Sequence, residues 1–264
     1  MRALLIAIAA VIVVAAAAVP LLAVRTAHEA QAAETATATI DAETIGPMIR
    51  EYLIANPEVL QEAYQALEAK QTAAEDAKRS AAIADQKGLI YDSTRQVELG
   101  NPNGSVTMVE FFDYNCGYCK RALNDMVTLI EQNPDLRIVL KEFPVLGQGS
   151  SEAAQVAIAV NAVAPERYLE FHQRLLGGEG PANRDVALAV ATDLGLPMDK
   201  VRAAMESPDV ARTIEEVYGL AQALGINGTP SYVVGDKVMV GAVGLPQLSE
   251  QIVAARDCKA GESC

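Results

Sequence analysis

Positive charge is scarce in this chain of 264 residues, which has 21 Lys and Arg against 34 Asp and Glu and a formal net charge of −13. Such a chain has no basic surface of the kind that displaces counterions from a phosphate backbone, so we exclude nucleic-acid binding. Hydrophobic residues make up 51% of the chain. This fraction is typical of a folded protein with one large core or two modest ones.

Histidine and cysteine are also scarce, with two and four residues respectively. The cysteines form a close pair, Cys116 and Cys119, and a wider pair at the C-terminus, Cys258 and Cys264. A structural zinc site needs two close pairs, and no histidine lies near either pair, so we expect neither a metal nor another cofactor. A purely structural disulfide between Cys116 and Cys119 is a poor explanation as well, because so short a loop removes little entropy from the unfolded chain.

The N-terminal segment, residues 1–32, has the pattern of an export signal. An uncharged run occupies residues 3–24, and small residues follow, with Ala30-Gln31-Ala32 as a cleavage site. Two interpretations stay open. The strongest part of the run has the length of a cleaved signal peptide, whereas the whole run is long enough for a retained membrane anchor. In both cases the remainder of the chain crosses the membrane.

Residues 33–90 are predicted to form a tether followed by a helical extension. The tether is small and polar, and Asn56-Pro57-Glu58 predicts the cap and first turn of a helix that runs to about residue 88. This extension either lies on its own domain or pairs with copies of itself, giving a dimer or trimer through residues 45–88. The apolar residues at helical spacing are Ile45, Ile49, Tyr52, Leu53, Leu60, Tyr64 and Leu67.

Residues 91–257 alternate between strand and helix patterns. Their order predicts an α/β sandwich in which a helical insertion separates the two halves of one sheet. The predicted elements are a strand at 105–112, a helix after Cys119, a strand at 136–143, the helical insertion at about 150–225, a hairpin turning at Gly235-Asp236, and a closing helix at 246–257.

The position of the close cysteine pair favours a redox centre. Cys116 falls where a strand ends and a helix begins, so unpaired N–H groups and the helix dipole would stabilise its thiolate. Cys119, one turn further, is expected to be more buried and less ionised. Cys116 would then react with a disulfide, and Cys119 would resolve the mixed disulfide.

The sequence "NGTPSYVV" is the second redox feature, because it places Pro230 directly before a hairpin strand, where an ordinary strand would not tolerate proline. We expect a cis Thr229–Pro230 bond that leaves main-chain groups of Thr229 free to pair with an extended peptide. A trans turn proline is the alternative.

With these motifs, about residues 96–256 resemble the thioredoxin-fold thiol:disulfide oxidoreductases of the DsbA family, especially the ScsC-like branch with an N-terminal helical extension. The segments that carry the resemblance are 111–120, 142–144 and 228–230. The resemblance implies a thioredoxin fold with an inserted helical subdomain, preceded by an N-terminal helical stalk.

The resemblance also implies roles for individual residues. Cys116 would be the nucleophile, Cys119 the resolving thiol and Pro230 the cis-proline beside them. Glu110 matches the family's proton relay for the buried cysteine, and Lys141 is a candidate charge partner for it. His172 is expected on a helix surface. The residues expected to line the substrate groove are Tyr114, Gly117, Tyr118 and Thr229.

The direction of the reaction is predicted from the same resemblance. Strongly oxidising members have histidine between the cysteines, whereas Gly117-Tyr118 and Thr229 are similar to the DsbC-type isomerase pattern. We therefore predict a periplasmic isomerase or reductase of exported client proteins, working with a membrane redox partner of the DsbB or DsbD/ScsB type. The alternatives are a monomeric DsbA-like oxidase and a non-catalytic holdase. In the tail, residues 258–264, Cys258 and Cys264 could form a disulfide with each other, pair between subunits or remain free; we favour the Cys258–Cys264 disulfide, because exported thiol pairs tend to oxidise.

Overall fold

This structure, a computed structural model, describes residues 42–257. The predictions for the leader, for most of the tether and for the Cys258–Cys264 disulfide lie outside the described residues. Across the described range, no helix is both long and apolar enough to cross a membrane. The chain divides into two compact units between Ala69 and Lys70. The boundary at residue 90 that the sequence suggested remains a prediction.

The first unit consists of helix α1 (Ala42–Ala55) and the first part of α2 (Glu58–Asp85). The predicted break between them is present, but its chemistry differs from the prediction. The side-chain amide of Asn56 donates to the Tyr52 carbonyl at 2.8 Å. The amide therefore closes α1, and the Asn56 backbone carbonyl is the group that accepts from the Val59 N–H, at 3.2 Å.

The second unit begins within α2, which ends at Asp85, so the predicted single helix to residue 88 is divided into α2 and a short α3. The remaining elements follow the predicted order. They are α3 (Lys87–Tyr91), β1 (Val97–Gly100), β2 (Val106–Phe112), α4 (Gly117–Gln132), β3 (Leu136–Glu142), α5 (Gln148–Val163), α6 (Tyr168–Gly177), α7 (Arg184–Asp193), α8 (Met198–Met205), α9 (Pro208–Ala223), β4 (Ser231–Val234), β5 (Lys237–Val240) and α10 (Leu245–Asp257).

The sheet has five strands in the order β1-β3-β2-β4-β5. β2 and β3 are parallel, and the other neighbouring pairs are antiparallel. The predicted α/β sandwich is therefore confirmed, with α5 to α9 inserted between β3 and β4. The sequence analysis missed β1, whose four residues are too few to show a clear alternation.

The central strand β2 is buried on both faces, and its side chains alternate between two cores. Met108 and Phe112 belong to the core that also contains Cys119 and the inserted helices. Val109 and Phe111 belong to the other core, with Ile90 of α3. The redox face of the sheet is therefore the face of Met108 and Phe112.

Lys141 lies on the face opposite to the redox site, so its predicted pairing with Glu110 is wrong. The register of β2 and β3 places Lys141 opposite Phe111, while Glu110 is opposite Leu140. The Lys141 ammonium is fully buried and donates to the Leu89 carbonyl at 2.6 Å. Burial lowers its pKa to about 8, although the charge of Glu216 opposes this shift.

Lys141→Met should change how the free energy of unfolding depends on pH. The pKa of Lys141 is about 8 in the folded protein against an ordinary value of 10.5, so the unfolded chain binds more protons between these values. The wild type should therefore gain stability relative to the variant as pH rises through this window, by an amount on the order of 3 kcal/mol. Urea unfolding across this pH range measures the difference.

Lys87→Met removes an exposed lysine and serves as the matched control. Parallel pH profiles for the wild type and Lys141→Met would contradict the assignment of a buried, destabilising ammonium to Lys141.

Candidate active site

Cys116 occupies the N-cap of α4, as predicted. Its Sγ accepts the Cys119 N–H at 3.3 Å and donates to the Thr229 carbonyl at 3.2 Å. The strand β2 ends four residues earlier, and the Cys116 N–H donates to the Asp113 carbonyl at 3.0 Å. The nucleophile candidate is therefore held at the positive end of a helix, between β2 and the segment that precedes β4.

Cys119 is fully buried, and both it and Cys116 are free thiols in this structure. Burial raises the pKa of Cys119 far above its ordinary value; the side-chain hydrogen bond with Cys116 and the charge of Glu110 raise it further, while a hydrogen bond from the Asp113 backbone opposes the rise. Cys119, with 0% of its surface exposed against 5% for Cys116, is the more buried of the two, as expected. An attack by Cys119 therefore needs a base to remove its proton.

The Thr229–Pro230 peptide bond is cis, as predicted. Pro230 is buried, and its carbonyl accepts the Gly241 N–H at 2.8 Å. Thr229 is partly exposed, but its carbonyl is not free, because it accepts the Cys116 thiol. A peptide client that pairs with the Thr229 carbonyl would therefore replace this intramolecular contact.

Glu110 lies under the cysteine pair and is 4% exposed. It is paired across β2 and β4 with Tyr232. Burial and the charge of Asp125 on α4 raise the pKa of Glu110 to about 8, and a hydrogen bond with Tyr232 opposes the rise. A carboxyl group that changes protonation near neutral pH, close enough to influence Cys119, can exchange a proton with that thiol.

Tyr114 does not line a groove, because its side chain is 1% exposed. Its hydroxyl lies 3.2 Å from the Tyr168 hydroxyl and 3.3 Å from His172 Nδ1. The Tyr168 hydroxyl in turn donates to the carboxylate of Glu142 at 2.8 Å. The prediction for Tyr114 is therefore wrong, and these four residues form a buried polar cluster between the sheet and α6.

His172 was expected on a helix surface and is instead 2% exposed within this cluster. Burial lowers its pKa to about 3, so the ring is neutral at physiological pH. Its ring packs edge-on against Phe112 at a centroid distance of 4.8 Å and stacks on Tyr168 at 5.8 Å. His172 is thus part of the core, and the prediction that it lies on a helix surface is wrong.

Two of the predicted groove residues, Gly117 and Tyr118, are exposed between the cysteines. Tyr118 exposes 60% of its surface, and the Arg121 guanidinium carbon lies 4.2 Å from the centre of its ring. With the partly exposed Thr229 on the other side of Cys116, these residues form the rim around the nucleophile.

The sequence analysis missed two polar residues that flank the cysteines and tie them to the insertion. Asn115 accepts the Ala182 N–H at 2.7 Å and donates to the Ala182 carbonyl at 3.0 Å. Lys120 donates to the carbonyls of Gly178 and Gly180. No sequence signal identifies these partners, because they lie some sixty residues away from Asn115 and Lys120.

The geometry defines the class of protein. A cysteine at the start of a helix, a buried second cysteine one turn later and a cis-proline against the first sulfur are the parts of a thioredoxin-fold thiol:disulfide oxidoreductase. The chain belongs to the family of DSBA-like thioredoxin domains, whose family model matches residues 107–253. A second model, the copper resistance protein ScsC N-terminal domain, matches residues 42–74.

Known relatives agree with this assignment. The chain is 26% identical over 167 residues to disulfide bond formation protein D of Bacillus subtilis (strain 168), covering 60% of this chain and 75% of that protein. A thioredoxin-like oxidoreductase from Silicibacter pomeroyi DSS-3 is 40% identical, covers 65% of this chain and 98% of its own, and has a TM-score of 0.62.

The catalytic domain of Proteus mirabilis ScsC is 27% identical, covers 68% of this chain and 99% of its own, and has a TM-score of 0.62. The predicted thioredoxin fold with a helical N-terminal region and the resemblance to the ScsC-like branch of the DsbA family are thus confirmed.

Glu110→Gln should remove the part of the pH dependence of the free energy of unfolding that comes from Glu110. The pKa of Glu110 is about 8 when folded against an ordinary 4.5, so the folded state binds more protons between these values and the wild type loses stability as pH rises through them. As pH rises across this window, the wild type should lose about 5 kcal/mol of stability relative to the variant. Denaturant unfolding at several pH values measures it.

Glu131→Gln removes an exposed carboxylate from the same helix that covers Glu110 and is the control. If the difference between wild type and Glu110→Gln did not vary with pH, Glu110 would not be a desolvated acid.

Proposed function

We propose that this protein is a periplasmic isomerase or reductase of disulfides in exported client proteins. The observation that carries the proposal is the position of the Cys116 sulfur, at the helix start and 3.2 Å from the carbonyl that precedes the cis-proline. A client strand that replaces the Cys116 contact with the Thr229 carbonyl would bring its own sulfur next to this nucleophile.

In the proposed reaction, the Cys116 thiolate attacks one sulfur of a client disulfide. A mixed disulfide forms, the client S–S bond breaks, and the other client sulfur leaves as a thiolate that takes up a proton. In isomerisation, a different client thiolate then attacks the mixed disulfide and Cys116 leaves as a thiolate, so no net oxidation occurs.

In reduction, Cys119 completes the cycle. Glu110 accepts the Cys119 proton, the Cys119 thiolate attacks the Cys116 sulfur, and the client leaves as a thiolate that is then protonated. The enzyme now holds the Cys116–Cys119 disulfide, and a reduced membrane partner of the DsbD/ScsB type would return it to the dithiol; a DsbB-type partner would serve the rival oxidase.

The direction is proposed from what stabilises the thiolate. Gly117 and Tyr118 place neither a cation nor an imidazole between the cysteines. The hydrogen bond that the Cys116 sulfur accepts comes from a neutral backbone group, the Cys119 N–H, at 3.3 Å. Weak stabilisation of the thiolate makes a disulfide less oxidising, which favours shuffling and reduction over disulfide donation.

Self-association of the first unit would favour isomerisation over one-way transfer. An apolar stripe on α1 and α2 is more than half exposed in the single chain, whereas soluble proteins rarely leave such a surface uncovered. A dimer or trimer through this stripe would present several sites to one client at high effective concentration. The stripe comprises Met48, Ile49, Tyr52, Leu60, Tyr64 and Leu67, which are between 52% and 66% exposed.

Cys116→Ser should abolish isomerisation of a client with scrambled disulfides, because it removes the attacking sulfur. Cys119→Ser should keep part of this activity but lose net reduction, since only the resolving step is missing. Recovery of native client activity and thiol titration measure the two outcomes. A holdase would retain its activity in both variants, and this result would contradict the proposal.

A glutathione titration of the Cys116–Cys119 pair tests the direction. A potential near that of strong oxidants, about −120 mV, would identify the rival oxidase, whereas the proposed enzyme should be distinctly more reducing.

The double variant Leu60→Lys, Leu67→Lys should convert the oligomer to a monomer, because it places charges in the apolar stripe. Sedimentation of the mature protein measures the mass. Gln65→Lys adds a charge on the opposite side of α2 and is the control. A wild type that already sediments as a monomer would remove the oligomer from the proposal.

A further inference from the structure

Arg121 places a positive charge on the rim of the site. Its guanidinium carbon lies 4.2 Å from the centre of the Tyr118 ring, within the range of a cation–π contact. Side chains on a helix tilt toward its N-terminus, so Arg121 reaches back by almost one turn toward the end of α4 that holds Cys116. The guanidinium therefore lies over the ring of Tyr118, a rim residue in the first turn of α4.

Arg121 is available to a bound client, whereas the nearest other charges of this turn are engaged. The Asp113 carboxylate is buried and accepts the backbone N–H groups of Asn115 and Leu146 at 2.7 and 2.9 Å. The Lys120 ammonium donates to two carbonyls of the loop between α6 and α7. Within residues 42–257, no carboxylate lies within ion-pair distance of Arg121.

The other segments around Cys116 add little charge. Residues 144–149 and 226–231 contain no charged side chain, and the loop that Lys120 binds contributes one exposed acid, Glu179. The chain as a whole carries −13, but charges farther than about 8 Å from a client are largely screened at physiological salt. On α4 itself, Lys120 and Asp125 are partly buried, and the charge of Asp125 acts on Glu110 beneath the cysteines. Arg121 is the exposed charged residue within 113–125, so its cation on the Tyr118 ring is the charge of this turn that is open to a client.

We propose that Arg121 is a specificity-determining residue that favours client segments carrying Asp or Glu beside the reacting cysteine. The inference rests on the proposed function and names the clients of the same site. A single exposed charge pair contributes little free energy. Replacing Glu by Lys beside the client cysteine changes the client's charge by two units, which enlarges the effect. We therefore expect a preference of roughly three- to tenfold from Arg121.

The test uses two disulfide peptides that are identical except for Glu or Lys on both sides of the cysteine. The reduced full-length protein reacts with each, and the second-order rate constant for the mixed disulfide with Cys116 is measured at low and high salt. The readout is the ratio of the Glu rate to the Lys rate, compared between variants, because the intrinsic reactivity of each peptide cancels in this comparison.

In Arg121→Gln the ratio should fall roughly three- to tenfold. Arg121→Lys keeps the charge and should retain most of the preference. Arg202→Gln is the matched control, because it removes the same charge from an exposed arginine on α8, a helix that packs on α5. High salt should reduce the difference between wild type and Arg121→Gln.

An unchanged ratio in Arg121→Gln overturns the inference while leaving the proposed function intact. An equal fall in Arg202→Gln also overturns it, because the effect would then come from net charge. If the wild type forms no mixed disulfide with either peptide, the proposed function itself fails and the inference fails with it.

Discussion

Two sulfurs one helical turn apart must occupy different environments for thiol exchange to proceed in order, and the structure depends on this constraint. Cys116 lies at the helix start, in contact with the Thr229 carbonyl, while Cys119 is fully buried. The sheet order makes the difference possible, because β2 lies between β3 and β4. The end of β2 delivers the cysteine turn, and the start of β4 delivers the cis-proline to the same point.

The inserted helices support this geometry by side-chain contacts on both sides of the cysteines. The Asn115 side-chain amide donates to the Ala182 carbonyl and accepts the Ala182 N–H. Lys120 donates to the Gly178 carbonyl in the adjoining loop. Beneath them, Tyr114 is hydrogen-bonded into the buried cluster of α6. The insertion is therefore part of the active-site scaffold, since the residues before and after the cysteines are fixed by it.

The sequence was sufficient wherever local rules decide the outcome. A strand end followed by a helix start located Cys116, and a proline ahead of a strand identified the cis bond. The sequence was insufficient where the outcome depends on which face of a strand a side chain occupies or on partners from distant parts of the chain. Lys141 is adjacent in sequence to Glu142, yet strand alternation places the two on opposite faces. His172 is surrounded by aromatic rings from other elements, which its own helix pattern does not reveal.

The distribution of charge explains how an acidic protein can run thiolate chemistry. A buried carboxylate beside a thiol opposes ionisation of that thiol when it is itself ionised. Burial raises the pKa of Glu110 to about 8 and that of Glu142 well above its ordinary value, so burial favours the neutral form of both carboxyl groups. The rim carries the cation of Arg121 on the Tyr118 ring, at the end of α4 whose dipole favours the Cys116 thiolate. The same desolvation that costs stability at Glu110 thus limits the negative charge beside Cys119, while a pKa close to neutral pH leaves an ionised fraction of Glu110 that can accept the Cys119 proton.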